Sequence, residues 1–214
     1  MHIKKASYLI SSPDFEKCPA PDKPEYALIG RSNVGKSSLI NMLCLQDKLA
    51  KTSSSPGKTQ MINHFEILSD ATKENRTITT KWFMVDLPGY GFANVSISSR
   101  RRWQQMIENY LRKRENLMMV FVLIDSRHSP QKIDLEFLET LKKWQVPFSI
   151  IFTKTDKSNQ RTVSKNVKDF FEEMKKTWQI LPRHFLTSAV KKSGRDKILE
   201  YVDEMNLEED WKAL

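Results

Sequence analysis

The chain predicts an α/β fold, with a mostly parallel sheet, one antiparallel strand and helices on both faces. Three observations carry this. Six short runs rich in branched and aromatic residues recur along the chain, stripes of apolar residues at helical spacing separate most of them, and one neighbouring pair is joined by a polar segment with no helical pattern.

The first strand-like run is Tyr26 to Ile29, and Leu39, Ile40, Leu43 and Cys44 follow it at helical spacing. Two runs come next, Ile62 to Leu68 and Ile78 to Val85. The polar segment between them, Ser69 to Arg76 (SDATKENR), reads as a hairpin connection, so this pair is antiparallel. Trp103, Ile107, Tyr110 and Leu111 mark the second helix, Leu117 to Ile124 the next strand, and Leu135, Leu138, Leu141 and Trp144 the third helix. Phe148 to Phe152, then Val167, Phe170, Phe171 and Met174, then His184 to Leu186, then Ile198, Leu199, Val202 and Met205 complete the alternation. Lys51 to Lys58 (KTSSSPGK) is a loop by composition. One domain over residues 25–206 is expected, preceded by an extension, 1–24, able to supply an edge strand, and followed by an acidic tail, 207–214, that frays.

Composition agrees with that size. At roughly 150 residues per domain, 214 residues make one domain, and 39% hydrophobic with 29% charged residues excludes disordered and fibrous classes. The longest apolar run, Leu117 to Ile124, falls far short of the roughly 20 residues that span a membrane. The first fifteen residues lack a signal-peptide core. Cys18 and Cys44 have neither CxxC spacing nor histidines beside them, which argues against a disulfide framework or zinc site and for a reducing cytosol. Lysine and arginine number 35 against 26 acidic residues, a net charge of +9. Such an excess points to a polyanionic partner.

Gly30-Arg31-Ser32-Asn33-Val34-Gly35-Lys36-Ser37 fits GxxxxGKS, follows a strand-like run and opens the helical stripe of Leu39 to Cys44, and with Ser38 it is the expected phosphate-side nucleotide contact. Backbone N–H groups of such a loop wrap phosphates, Lys36 reaches the β and γ oxygens, and the Ser37 hydroxyl ligates Mg²⁺. Asp86-Leu87-Pro88-Gly89 follows another strand-like run, where a nucleotide switch needs a carboxylate behind the metal and a backbone N–H for the γ-phosphate. Thr153-Lys154-Thr155-Asp156 suits guanine, because a carboxylate accepts both N1–H and the exocyclic amine while a lysine stem covers the ring. Adenine offers no such donor pair, which disfavours an ATP-dependent enzyme. Thr187-Ser188-Ala189 closes the last run, where a backbone N–H can reach the guanine O6.

With these motifs in this order the chain resembles a translation-factor-class GTPase, and more narrowly the EngB family of ribosome-assembly GTPases. The resemblance covers about Tyr26 to Met205 and rests on GRSNVGKSSLIN (30–41), SPGKTQ (55–60), DLPGYGFA (86–93), DSRHSPQKID (125–134) and TKTDK (153–157). It implies a P-loop fold of the Ras-like G-domain type. Thr59 would complete the Mg²⁺ shell with Ser37 and, through water, Asp86, although the sequence also leaves Thr52 open. Gly57, Lys58, Thr59, Gln60 and Met61 would join the GTP contacts, with order and disorder of Lys51 to Gln60 as the switch. Lys36, Thr59 and Gly89 would be catalytic. Thr153 stands where the family's base motif usually begins with asparagine.

Tyr90 follows the DxxG glycine, where many small GTPases carry a water-positioning glutamine, so intrinsic hydrolysis should be slow. Asn33 resembles an asparagine that holds K⁺ in relatives, and its plainer reading is a loop brace. Asp125, Arg127 and His128 give no chemistry, and His128 is assigned no catalytic role.

Arg100, Arg101 and Arg102 open the second helix, and Arg112, Lys113 and Arg114 end it. Lys191, Lys192, Arg195 and Lys197 form a second cluster. Either is a solvated face or a contact to the phosphate backbone of structured RNA, with no base-reading signature. The acids from Ile198 onward leave +14 on residues 1–197, more than Mg²⁺-bound nucleotide explains. The resemblance therefore implies a cytoplasmic monomer that binds GTP and GDP and docks on the large-subunit precursor and its rRNA, with no membrane or DNA contact. Cell division would depend on it, and a module acting directly on division proteins is the alternative.

Overall fold

The computed structural model describes residues 1–51, 61–73, 76–91 and 97–208. Its elements are β1 (His2–Ser12), β2 (Glu25–Gly30), α1 (Lys36–Cys44), β3 (Ile62–Lys73), β4 (Arg76–Asp86), α2 (Ile97–Lys113), β5 (Leu117–Asp125), α3 (Lys132–Lys143), β6 (Phe148–Thr153), α4 (Gln160–Lys175), β7 (His184–Leu186) and α5 (Arg195–Glu208). A single 3₁₀ turn at Phe15–Lys17 links β1 to β2. Among the described residues the strands form one sheet in the order β1-β3-β4-β2-β5-β6-β7. β3 is antiparallel to both its neighbours, β1 and β4, and the other pairs are parallel. One strand thus runs against the rest, as the sequence predicts.

The N-terminal segment builds the β1 edge, paired along β3 from His2↔Asp70 to Ser12↔Ile62. Pairing of β3 with β4 continues to Lys73↔Arg76, so most of the segment expected to be a connection, Ser69 to Arg76, is strand. Its polar residues are tolerated because the start of β4 reaches beyond the core and because they pair across the ladder. Thr79 donates to Asp70 at 2.6 Å, and the Trp82 indole N–H donates to Ser69 at 3.0 Å. α5 reaches Glu208 and so passes the expected tail boundary. The rest of the tail, 209–214, lies outside the described residues.

β2 is buried along its whole length, as a central parallel strand must be. Its alternation divides the core. Tyr26 and Leu28 pack with Leu39, Ile40 and Leu43 of α1 and Ile198, Leu199 and Val202 of α5. Ala27 and Ile29 pack with Ile107 and Tyr110 of α2, Leu138 and Leu141 of α3, and Phe170, Phe171 and Met174 of α4. Both faces of the sheet are therefore covered. Among the described residues no helix is long and apolar enough to cross a membrane.

Glu25, at the start of β2, has no solvent exposure. A buried carboxylate is tolerated only with partners of opposite charge and a full set of hydrogen bonds. Arg114 provides both, donating from Nε at 3.0 Å and Nη2 at 2.9 Å. His64 Nε2 lies at 3.2 Å, and the Tyr110 hydroxyl donates as well. Burial alone would raise the Glu25 pKa, but the hydrogen bonds and charge of His64 and Arg114 bring it down to about 2. Arg114 thus leaves the set of expected RNA contacts. Its guanidinium joins β2 to the end of α2 inside the protein.

Candidate functional site

Parallel pairing brings the carboxyl ends of the central strands to one edge of the sheet, where open α/β folds bind ligands. Leu28 registers with Asp86, Gly30 with Leu123, and Asp125 with Thr153. The chain leaves β2 at Gly30 and re-enters helix at Lys36. Gly35, at φ 105°, caps α1 without a side-chain hydrogen bond. The first N–H groups of α1, from Lys36 through Ser37 and Ser38, are thus left without a capping side chain, an arrangement that favours an anion.

The DLPG strand end runs along this loop. Leu87 N–H donates to the Leu28 carbonyl at 3.0 Å, and a Cβ on Gly89 would stand 2.5 Å from the Gly30 carbonyl oxygen. Only glycine fits there. Lys36 forms an ion pair with Asp86, whose side chain is almost wholly buried, and Pro88 continues the strand end toward Gly89.

Two bonds brace the loop from β6. The Thr153 hydroxyl donates to the Val34 carbonyl at 2.6 Å, and Lys154 Nζ donates to the Asn33 carbonyl at 2.5 Å. Val34 is buried, Ser32 and Asn33 are exposed, and the Val34 N–H closes a turn on the Arg31 carbonyl at 3.2 Å. The substitution of threonine for the usual asparagine therefore keeps a brace between strand and loop. For Asn33, the backbone carbonyl makes the brace.

The remaining motifs meet beside this loop. Thr155 donates to the Thr187 carbonyl through its N–H at 3.1 Å and its hydroxyl at 3.0 Å. Ser188 Oγ donates to Asp156 at 2.6 Å and accepts the Lys191 N–H at 3.0 Å. The Ser188 hydrogen bond holds the Asp156 carboxyl below its ordinary pKa. An ionised acceptor results, adjoining the turn that carries Ala189.

Asp134 of α3 was not singled out from the sequence. It is fully buried, accepts the Tyr90 hydroxyl at 2.8 Å, and faces Arg31 Nε at 3.1 Å from the same oxygen. Burial raises its pKa, against the opposing pull of Arg31 and Tyr90. Tyr90 also stacks on Phe137, with centroids 4.1 Å apart. Its hydroxyl is therefore engaged with α3, and the phosphate loop, the DLPG strand end and α3 share one carboxylate. No local pattern signals this, since 44 residues separate Tyr90 from Asp134.

Gly57, Lys58, Thr59, Gln60 and the alternative Thr52 lie outside the described residues, and Met61, just before β3, is exposed. Of the basic residues, Arg100, Arg101, Arg102, Arg112, Lys113, Lys191, Lys192 and Lys197 are exposed. Arg112 pairs with Glu108 at 2.8 Å, and Arg195 donates to the Leu43 carbonyl at 3.0 Å. α2 and α5 cover opposite faces of the sheet. The two basic clusters therefore lie in separate regions of the surface.

A family model described as "50S ribosome-binding GTPase" matches residues 25–154. A probable GTP-binding protein EngB of Porphyromonas gingivalis is 50% identical over 208 residues, which cover 97% of this chain and 98% of that protein. The EngB of Christiangramia forsetii is 49% identical over 206 residues, or 96% and 98%. Among solved structures, a probable GTP-binding protein EngB superposes with a TM-score of 0.57 at 21% identity, covering 86% of this chain and 100% of that one. Era in complex with MgGDPNP and nucleotides 1506–1542 of 16S ribosomal RNA gives 0.63 at 22%, covering 85% and 56%. These two likenesses show the P-loop GTPase fold. Half of its residues being shared along nearly its whole length, the chain belongs to the EngB family, and it is a GTP-hydrolysing enzyme.

Proposed function

We propose that the protein is a Mg²⁺-dependent GTP switch in assembly of the large ribosomal subunit, docking on precursor rRNA in its GTP form and leaving after hydrolysis. The observation that carries this reading is the match to a family described as 50S ribosome-binding. The exposed clusters on α2 and before α5 support it, because they lie outside the phosphate loop and suit an RNA backbone. Era, a neighbour in fold, was solved with a ribosomal RNA fragment. The test is sedimentation of cell extract with a GTP-locked form. The protein is expected to co-migrate with large-subunit precursors, and its absence from those fractions ends the assembly role. A septation defect on depletion then follows from slow ribosome production in the cytoplasm.

Within the site, residues 30–38 wrap the phosphates, Asp156 and the Lys154 stem take the guanine, and the turn at Thr187, Ser188 and Ala189 reaches its O6. The ion pair of Lys36 with Asp86 gives way on nucleotide entry, freeing Lys36 for the β and γ oxygens. Ser37, Asp86 through water, and Thr59 are hard oxygen donors that fit Mg²⁺. That Asp86 already carries a cation supports the fit. Mg²⁺, when bound, neutralises charge developing across the phosphates.

The Tyr90 hydroxyl is committed to Asp134, so water is oriented by Gly89 and Thr59 backbone or side-chain groups and by a partner. Intrinsic hydrolysis is slow for that reason. Asn33 is exposed at the loop, where K⁺ can sit in place of an arginine finger. Turnover is expected to be roughly tenfold or more faster in KCl than in NaCl, the scale of one added electrostatic contact. Equal rates remove K⁺ from the mechanism.

A further inference from the structure

The string from Asp125 to Asp134 carries no chemistry in the sequence, yet its first residue sits at the centre of the base side of the site. Asp125 ends β5, opposite Thr153 on β6, and is 5% exposed. Its Oδ2 lies 2.9 Å from Lys154 Nζ and 2.7 Å from Arg127 Nη2. Oδ1 accepts the Arg127 Nε at 2.9 Å and the Arg127 N–H at 3.1 Å. His128 Nε2 stands at 3.9 Å from Oδ2. The Lys154 ammonium is thus held between a buried carboxylate and the Asn33 carbonyl, with its Cε 3.8 Å from where a Cβ on Gly35 would be. A free lysine loses rotamer freedom when pinned over a flat ring. Here two fixed partners limit that freedom within the protein itself.

We propose that Asp125 is the positioning residue for Lys154, fixing the lysine stem where it covers the guanine ring and so setting nucleotide affinity without touching nucleotide. This rests on the reading that the TKTD loop binds guanine. The competing role is purely local, an anchor for Arg127 and the turn after β5. The two roles separate by experiment, because Arg127 and Lys154 are separate partners of the same carboxylate and can be replaced one at a time.

The test is fluorescence titration of the full chain with GDP and with IDP, which lacks the exocyclic amine. Asp125→Asn is expected to raise the dissociation constant about tenfold for both nucleotides, since one ordered side chain is lost and the Asp156 contact is untouched. Arg127→Ala is expected to stay within about twofold of wild type, as an exposed partner of the pair. Lys154→Met keeps the stem but not the ammonium, and is expected to match Asp125→Asn. Wild-type affinity in Asp125→Asn overturns the proposal, and should that variant not fold, wild-type affinity in Lys154→Met, which loses the contact to Asp125, overturns it as well. An Arg127→Ala loss equal to that of Asp125→Asn also overturns it. Lys154→Ala removes the stem, and unchanged affinity there sinks the base-site reading itself, a separate outcome.

Discussion

Asp156→Asn is expected to weaken GTP binding by at least a hundredfold while admitting xanthosine triphosphate. The Ser188 hydrogen bond keeps the Asp156 carboxylate ionised, and on the proposed reading it accepts two donors from guanine. An amide offers one acceptor and turns a donor toward the other guanine N–H, leaving two buried donors face to face, a loss of about 3 kcal/mol or more. Xanthine replaces that amine with a carbonyl, which the new amide N–H satisfies. The Ser188 hydroxyl, 2.6 Å from the carboxylate, fixes which way the amide points. Competition of the two triphosphates against a fluorescent nucleotide reads the ratio, and an unchanged preference for GTP removes Asp156 from base recognition.

The second large effect is on stability. Glu25→Ala strands the Arg114 guanidinium and His64 in the interior, and breaking a buried ion pair from one side costs about 3–5 kcal/mol. For a chain of this size the melting temperature should fall by roughly 10 °C. Its pH dependence follows from the same carboxylate. The folded pKa is about 2 against an ordinary 4.5, so the stabilisation is complete above pH 4.5 and is lost as pH falls toward 2. Urea midpoints at pH 7 and pH 3 should therefore show the gap between wild type and variant narrowing in acid. A constant gap would assign the effect to packing alone. The GDP affinity of the folded variant should stay unchanged, because Glu25 lies at the opposite end of β2 from Gly30.

The helices and inner strands were legible because their signal is local. Leu135, Leu138 and Leu141 announce α3 by spacing alone, and the phosphate and base motifs declare themselves within eight residues or fewer. What escaped is pairing over distance. Arg114 closes a basic run and reads as surface, yet it meets a carboxylate 89 positions away. Asp125 and Asp134 stand in a string already marked by the resemblance, but their roles depend on Lys154, Arg31 and Tyr90, which only the strand order brings near. The polar segment from Ser69 to Arg76 misled for a related reason. Outside the core a ladder is held by its backbone and cross-strand pairs, so polarity no longer signals a loop.

Thr153 has a wider consequence. Its hydroxyl, bonded to the Val34 carbonyl at 2.6 Å, is a strut between the strand that presents Lys154 and Asp156 and the turn between Gly30 and Lys36. On the proposed reading base and phosphate bind at the two ends of this strut, and any bias one exerts on the other is mutual by thermodynamic linkage. With the Lys154 contact to the Asn33 carbonyl, the threonine ties the base-side and phosphate-side residues into one braced unit.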